Sequence, residues 1–203
     1  DEDATLTVEE LQSAAEVVVA QQDVMKEVEP APEPTPEPVV EEEEPEINID
    51  ELVEQATTHI KEGAPKEALA LLKPHLKTVG AQHAGAWRIA GGAMARLDLD
   101  NHAIAAMTHA QNLEPTHAPG WFNLGSVQQR SALVNEALAS YRRAVEADST
   151  YAKAAEKMAA LAEEHGRIEP YMEAARLLLQ MDGEHVIGEA YATMLIQLAQ
   201  GES

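Results

Sequence analysis

The chain has 203 residues, no cysteine and a formal net charge of -22. This length suits one folded domain with a tail, and the lack of cysteine excludes disulfides, thiolate metal sites and cysteine nucleophiles. The charge is uneven, with a net of -15 in residues 1–49 and -7 in residues 50–203. Because a field of this sign repels phosphate backbones and anionic lipid, we expect no nucleic-acid partner.

Residues 1–28 form an N-terminal extension, in which residues 5–28 predict one amphipathic helix. Thr7 and Glu10 have the spacing of a capping box, which satisfies two backbone amides at the start of a helix. An apolar stripe follows on one face, made of Leu11, Ala15, Val18 and Met25. Since a lone helix is marginal in water, this stripe must dock on the rest of the chain, dock on a partner, or leave the helix frayed.

In residues 29–48, proline stands at alternate positions up to Pro38, between glutamate, alanine and threonine, and two valines, the acidic run Glu41–Glu44 and Pro45 follow. Proline at alternate positions forbids a helix and like charges repel, so we expect a disordered, extended linker. One interpretation is a solubilising spacer. The other is an acidic peptide that competes inside the same molecule for a basic groove, because a short tether gives an effective concentration of about millimolar.

Residues 50–203 are the predicted folded domain, and its centre repeats itself every 34 residues. Matching positions include Trp87 and Trp121, Gly91 and Gly125, Ala103 and Ala137, Met107 and Tyr141, and Ala110 and Ala144. The small residues let paired helices approach closely, while the large ones fill the space between them. A period of 34 built on Trp, Gly, Ala and a large residue is typical of the tetratricopeptide repeat, a helix–turn–helix unit.

The period predicts repeats at about 50–83, 84–117, 118–151 and 152–185. In the first repeat, Pro65 suits the first turn of the second helix, and Pro74 is expected to kink that helix. In the fourth, Tyr171 stands where a small residue is usual, so we expect looser pairing of the two helices. Trp87 and Trp121 are expected to be structural.

Residues 186–200 predict one more helix. Its apolar face is expected to comprise Ile187, Ala190, Tyr191, Met194, Leu195 and Leu198. A terminal helix of this kind covers the exposed apolar edge of a repeat stack. It is alternatively the first helix of an incomplete fifth repeat.

Residues 50–203 therefore resemble the tetratricopeptide-repeat family. The resemblance implies an all-α, right-handed superhelical array whose first helices line a concave groove for peptides or extended protein segments. It also implies a scaffold or adaptor that is not an enzyme. Two alternatives stay open: a structural assembly subunit tethered to a complex or membrane anchor by the N-terminal helix and linker, and a secretion or assembly chaperone.

In some members of the family, groove residues form a clamp for a C-terminal carboxylate. The matching positions here hold Arg88, Gly92, Asn123, Lys153 and Lys157, of which Gly92 departs from the pattern. With neighbouring cations and apolar residues, the predicted peptide-binding groove comprises Arg88, Ile89, Arg96, Phe122, Asn123, Arg130, Lys153 and Lys157. We expect a protein or peptide partner, with a preference for acidic or carboxylate-bearing segments.

The sequence contains no recognised motif for metal binding, phosphate binding or catalysis. None of the eight histidines has the four-residue spacing to another that suggests zinc, although His83 and His117 recur with the repeat. There is no glycine-rich phosphate loop and no Gly-x-Ser-x-Gly elbow, so we expect no catalytic site, metal or cofactor. No apolar run approaches the roughly 20 residues of a membrane span, and no signal peptide is seen. The compartment stays open: a soluble domain in the cytoplasm, or in the periplasm if an upstream anchor or signal was removed.

Overall fold

The structure, a computed structural model, describes residues 47–201. The regular elements within that range are all α-helices: α1 Ile49–Lys61, α2 Pro65–Leu72, α3 Ala84–Arg96, α4 Asp100–Leu113, α5 Ala118–Arg130, α6 Val134–Ala147, α7 Ala152–Glu164, α8 Ile168–Met181 and α9 Ile187–Gln200. The helix predicted at 5–28, the linker up to residue 46 and its acidic run Glu41–Glu44 lie outside the described residues.

Each helix packs against the next one in the chain, and the first helices of successive pairs also touch, α1 with α3 and α3 with α5. The pairs are α1–α2, α3–α4, α5–α6 and α7–α8, and α9 follows them. This is the all-α array of helix pairs that the 34-residue period predicts, so the predicted fold class is confirmed.

The turn inside each helix pair is built the same way four times. One residue in each turn has a positive φ: Gly63 (78°), Asp98 (57°), Ala132 (59°) and Gly166 (60°). The next residue's amide then bonds to the carbonyl five residues earlier, as in Leu133 N to Gln128 O at 2.9 Å. This Schellman-type arrangement satisfies carbonyls at the end of the first helix. A repeated turn geometry gives a repeated angle between the paired helices.

The first pair departs from the prediction at Pro74. The helix α2 ends at Leu72 and is followed by turns up to α3, so Pro74 terminates the helix and does not kink it. The physical reason is that proline has no amide hydrogen, so the bond from residue 74 that would continue the helix cannot form, although Lys73 before it keeps helical backbone. The prediction that Pro74 lies inside the helix is wrong because the first repeat departs from the 34-residue period in its second helix, which ends at Leu72.

Close contacts between small and large residues hold the central pairs together. A Cβ added to Gly91 would lie 2.8 Å from the Met107 side chain, and one added to Gly125 would lie 2.8 Å from the ring of Tyr141. Tyr141 is fully buried. The glycines therefore set the distance between the helices in the second and third pairs.

Both tryptophans anchor a helix to the segment before it. Trp87 Nε1 donates to the Ala81 carbonyl at 3.1 Å, and Trp121 Nε1 donates to the Pro115 carbonyl at 2.8 Å. In each case the carbonyl lies six residues earlier. Trp121 is buried and Trp87 half-buried, so the indole satisfies its only donor while filling the joint between pairs.

The fourth pair uses a different arrangement of large and small residues. Ala159 and Ala175 stand where the third pair has Gly125 and Tyr141, and Tyr171 stands where the third pair has Ala137. Tyr171 is 4% exposed and Ala175 is fully buried. The large ring of this pair therefore stands one turn earlier on the second helix and is buried there, and the looser pairing of the two helices stays a prediction.

The helix α9 contacts α8 but buries none of its residues. Ile187, Tyr191 and Met194 are half-buried. Ala190, Leu195 and Leu198, which the sequence placed on the same covering face, are exposed. Successive residues turn by about 100° around a helix, so Leu195 points well away from Met194, and the half-buried strip ends before Leu198.

Candidate functional site

Two histidines fix where the groove-lining helices α3 and α5 begin. His83 Nδ1 accepts the Ala86 amide at 2.9 Å, and His117 Nδ1 accepts the Gly120 amide at 2.9 Å. Each imidazole thus acts as an N-cap, which requires an unprotonated Nδ1. Burial, followed by the nearby charge of Arg88, lowers the pKa of His117 below its usual range and favours this neutral form. The 34-residue spacing of the two histidines was the sequence signal for this role.

The first hollow of the candidate groove lies between α3 and α5 and has a volume of about 440 Å³. Four of the predicted groove residues line it: Arg88, Ile89, Arg96 and Asn123. Its apolar wall includes Ile60, Met107 and Val127. Beside them, a Cβ added to Gly92 would meet nothing within 4 Å. The lining of the hollow therefore combines apolar side chains with the guanidinium groups of Arg88 and Arg96.

Both arginines of the first hollow already have partners. Arg88 Nη1 donates to Glu114 Oε2 at 2.8 Å, and this bond holds the pKa of the Glu114 carboxyl below its usual range. Arg96 Nη1 donates to the Ile60 carbonyl at 2.9 Å. A guanidinium has five donors, so each keeps further N–H groups for a ligand, but the charge of Arg88 is already balanced.

Arg130 lies outside both hollows described here. Its guanidinium bonds to Asp100, and its Nη2 donates to the Ala95 carbonyl at 2.7 Å. The ion pair also holds the pKa of the Asp100 carboxyl below its usual range. Arg96 and Arg130, 34 residues apart, thus bond to carbonyls in the last turn of the preceding first helix. Their shared role is to tie successive first helices together.

The second hollow, of about 310 Å³, is lined by Phe122, Lys153, Glu156, Lys157 and Ala160. Lys153 and Lys157 lie one turn apart on α7 and are exposed. Neither ammonium takes part in an ion pair with any residue from 47 to 201. Glu156 Oε1 lies 4.0 Å from His185 Nε2. This hollow thus presents two cations that the described part of the chain does not neutralise.

Phe122, which lines the second hollow, belongs to an aromatic cluster. The ring of Phe122 lies 5.7 Å from that of Tyr141 and 5.6 Å from that of Tyr151, centroid to centroid. Phe122 is half-buried, and its neighbour Asn123 lines the first hollow. The helix α5 therefore separates the two hollows and contributes to both.

The two hollows use equivalent positions of successive repeats. Lining residues 34 apart include Arg88, Phe122 and Glu156, then Ile89, Asn123 and Lys157, then Gly92, Ser126 and Ala160. The sequence reasoning missed Ser126, Glu156 and Ala160 as lining residues. The signal that finds them is the period itself, applied to each predicted groove residue in turn.

Within residues 47–201, no three His, Asp or Glu side chains are grouped so that they could hold a metal ion. None of the helices described there has the length and apolar character that crossing a membrane requires.

No protein-family model matches the chain, and no curated protein matches it. Several solved structures do match the chain. A crystal structure of MamA is 21% identical, with a TM-score of 0.61, and the match covers 68% of this chain and 80% of that one. MamA 41-end from Desulfovibrio magneticus RS-1 is 19% identical, with a TM-score of 0.56, covering 75% of this chain and 85% of that one.

A third similar structure is TTC0263, a thermophilic TPR protein of Thermus thermophilus. It is 20% identical, with a TM-score of 0.53, and the match covers 73% of this chain and 82% of that one. The chain has the fold of a tetratricopeptide-repeat array, so the resemblance drawn from its sequence is confirmed for the fold. Solenoids of this kind present extended concave surfaces and serve in general as protein-interaction scaffolds.

Proposed function

We propose that this protein is a non-enzymatic scaffold that holds an extended, carboxylate-bearing segment of a partner protein across α3, α5 and α7. The observation that carries the proposal is the pair Lys153 and Lys157 beside Phe122. Their ammonium groups have no ion-pair partner among residues 47–201, whereas Arg88 and Arg130 are each paired with a carboxylate.

The position of this pair makes it informative. Lys73 and Lys77 are also exposed, four residues apart and outside the ion pairs among residues 47–201, but only Lys153 and Lys157 line a hollow beside an aromatic ring. A carboxylate between Lys153 and Lys157 would accept charge-assisted hydrogen bonds, which are about twice as strong as neutral ones. The half-buried ring of Phe122 would shield one side of those bonds from water.

The first hollow suits an apolar side chain of the same segment. Ile89, Met107 and Val127 line it, and Gly92 leaves the entrance open. Packed helices lie about 8–10 Å apart, and an extended chain advances about 3.3 Å per residue. The two hollows flank α5, so we expect the bound segment to carry a bulky apolar side chain about three residues from its carboxylate.

The chain's own linker has this pattern. Val39 and Val40 come directly before Glu41–Glu44, so each valine has a glutamate three residues later. This supports the proposal that the linker competes with the partner for the groove. Since the linker is joined to the first repeat, even weak binding would lower the apparent affinity for the partner.

The test uses the 203-residue chain and an array of short synthetic peptides that vary the apolar residue, the spacing and the carboxylate. We expect the double variant Lys153→Glu/Lys157→Glu to weaken binding of the selected peptides at least about tenfold, because it replaces attraction with repulsion. The matched control is Lys73→Glu/Lys77→Glu, which makes the same charge change at the same spacing on exposed residues outside both hollows.

An equal loss in the control would mean that only net charge matters, and unchanged binding in the Lys153 and Lys157 variant would remove the proposed site. A second arm replaces Glu41–Glu44 with glutamine. Tighter peptide binding in that variant supports competition by the linker, and unchanged binding removes that part of the proposal.

A further inference from the structure

A third hollow, of about 290 Å³, is lined by residues of α7, α8 and α9. Its apolar lining includes Leu178 of α8 and Ile187 of α9. Its acidic lining comprises Glu156 and Glu163, which lie two turns apart on one face of α7 and are both exposed. Glu156 also lines the second hollow, so α7 separates the second hollow from the third, as α5 separates the first from the second.

The third hollow uses the positions of the first hollow two repeats later, but its charge is opposite. Glu156 stands two repeats after Arg88, and Glu163 stands two repeats after Ala95. The 34-residue period therefore makes a groove position here, while the side chains change it from a cationic to an anionic one. A ligand that suits the first two hollows does not by itself suit the third.

The two carboxylates of the third hollow are not neutralised by the described part of the chain. Glu163 takes part in no ion pair with any residue from 47 to 201. Glu156 Oε1 lies 4.0 Å from His185 Nε2, which is too far for a hydrogen bond. His185 Nδ1 accepts the Ile187 amide at 3.2 Å, and an imidazole that accepts through Nδ1 is neutral. The hollow therefore keeps both negative charges.

A buried hydroxyl group without a partner belongs to the same hollow. Tyr171 lines it and is 4% exposed. The buried Tyr141 hydroxyl donates to a side chain at 2.8 Å, whereas the Tyr171 hydroxyl makes no hydrogen bond with residues 47–201. Within that range the sole fully enclosed side-chain nitrogen or oxygen without a partner is Gln111 Oε1, so the Tyr171 hydroxyl keeps some access to the hollow. Because buried hydroxyls are normally hydrogen-bonded, this one marks a place for a polar atom of a ligand.

We propose that the third hollow binds the guanidinium group of an arginine in the partner segment, an inference that rests on the proposed function. Seven residues of helix put the Cα atoms of Glu156 and Glu163 about 10.5 Å apart. A guanidinium spreads five donors over a plane and can bond to a carboxylate on either side and to the phenol oxygen of Tyr171. An ammonium presents its three donors at one point, so it suits two separated acceptors less well. The apolar side chains of Leu178 and Ile187 suit the methylene groups of the arginine.

The place of the third hollow extends the pattern expected of the partner segment. The spacing of packed helices that separates the first two hollows by about three residues of extended chain applies again across α7. We therefore expect the arginine about three residues beyond the carboxylate, on the side away from the bulky apolar residue.

The chain's own linker lacks this third element. Counting three residues on from Glu42 and Glu43 gives Pro45 and Glu46, and residues 41–50 contain no lysine or arginine. A glutamate at that place would be repelled by the carboxylates of the third hollow. The third hollow therefore favours a partner that carries the arginine over the linker that competes with it.

The first test uses a probe without a carboxylate, Nα-acetyl-arginine amide, so that it does not depend on the lysines of the second hollow. Nuclear magnetic resonance of the 203-residue chain follows the rings of its four tyrosines, and the variant Tyr171→Phe assigns the signal of Tyr171. We expect that signal to shift and to saturate at about millimolar probe. The neutral isostere Nα-acetyl-citrulline amide should leave it in place.

The double variant Glu156→Gln/Glu163→Gln should lose the shift. The matched control is Glu54→Gln/Glu136→Gln, which removes the same charge from two exposed residues that line none of the three hollows. Three outcomes overturn the proposal: no shift at Tyr171, an equal shift with the citrulline probe, or a shift that the two double variants change equally.

The second test joins the arginine to the segment. Peptides with the apolar residue and the carboxylate should bind at least about fivefold more tightly with arginine than with citrulline at the third position, and the Glu156→Gln/Glu163→Gln chain should not show this gain. An equal gain from lysine would overturn the choice of a guanidinium. If Lys153→Glu/Lys157→Glu leaves peptide binding unchanged, the proposed function fails, while the arginine probe still decides on the third hollow.

Discussion

The second and third helix pairs differ from the C-terminal end of the array in how they are held. In the central pairs, a glycine meets a large side chain, a tryptophan bonds to the preceding segment, and a histidine caps the first helix. At the C-terminal end, α7 has no side-chain cap and α9 buries no residue. The 34-residue period therefore produces tightly held helix pairs at the centre and a C-terminal helix whose side chains all stay at least partly exposed.

This contrast divides the candidate groove. The first hollow lies between α3 and α5 of the central pairs, whereas Lys153 and Lys157 of the second hollow belong to α7. In repeat arrays, stability is roughly a sum over repeats and their interfaces, so the two parts of a groove can differ in local stability. We expect α3 and α5, which line the first hollow, to have a higher free energy of local unfolding than α7, which carries the lysines of the second.

The largest effect should come from removing the ring at the centre. Tyr141 is fully buried, so Tyr141→Ala should cost about 3–5 kcal/mol of the free energy of unfolding. Tyr191 of α9 is half-buried, and Tyr191→Ala should cost about 1 kcal/mol or less. Urea unfolding followed by circular dichroism measures both. Equal costs would contradict the contrast between centre and end.

Adding one methyl group at a glycine should change the stability less, and the sign should differ between two sites: Gly125→Ala should destabilise the chain and Gly92→Ala should stabilise it. Gly125→Ala places a carbon 2.8 Å from the ring of Tyr141, and we expect a cost of about 1–3 kcal/mol. Gly92→Ala meets nothing within 4 Å, so the higher helix propensity of alanine should stabilise the chain by about 0.5–1 kcal/mol. Melting temperatures of the two variants should move in opposite directions; a shared direction would rule out the glycine contact as the cause.

The smallest effect concerns pH and the cap at His117. Burial lowers the folded-state pKa of this side chain below the ordinary value of 6.5, so between these two pKa values the unfolded chain binds more protons. Stability from this group is therefore complete above pH 6.5 and falls as the pH drops through the folded-state pKa. Losing one cap costs about 1 kcal/mol.

The control for the pH effect is His117→Asn. Asparagine is a good N-cap and does not titrate, so the variant should keep its stability at pH 7 and lose less than the wild type towards pH 5. The difference between the two chains in denaturant midpoint against pH gives the contribution of His117 alone. If both curves have the same slope, the cap at α5 is not the titrating element.

Much of the fold was predictable because the packing repeats in the sequence. The pairs Gly91 with Met107 and Gly125 with Tyr141 are separated by the same 16 residues, so the contact that sets the helix spacing is visible twice. Seven of the eight predicted groove residues line one of the two hollows and Arg130 lines neither, while peptide binding by those residues stays a prediction. The helix end at Pro74 was missed because the first repeat departs from the period at its second helix.

What the sequence did not reveal is which charges are neutralised. Arg88 meets Glu114, 26 residues away, and Arg130 meets Asp100, 30 residues away. Those separations have no regular relation to the repeat and depend on side-chain geometry across neighbouring helices. The packed side of α9 was ambiguous for another reason: apolar residues occur all round the helix, so periodicity alone does not say which side packs against α8.

The bonds that anchor the two indoles also decide what can be seen in solution. The chain has two tryptophans, and both lie in the central pairs, with Trp121 buried beneath the Arg143 guanidinium at 4.9 Å and Trp87 edge-on to the His109 ring at 4.6 Å. Tryptophan emission therefore follows the centre of the array and is blind to α9. If the helical circular dichroism signal falls at a lower temperature than the one at which tryptophan emission changes, the C-terminal end unfolds before the centre.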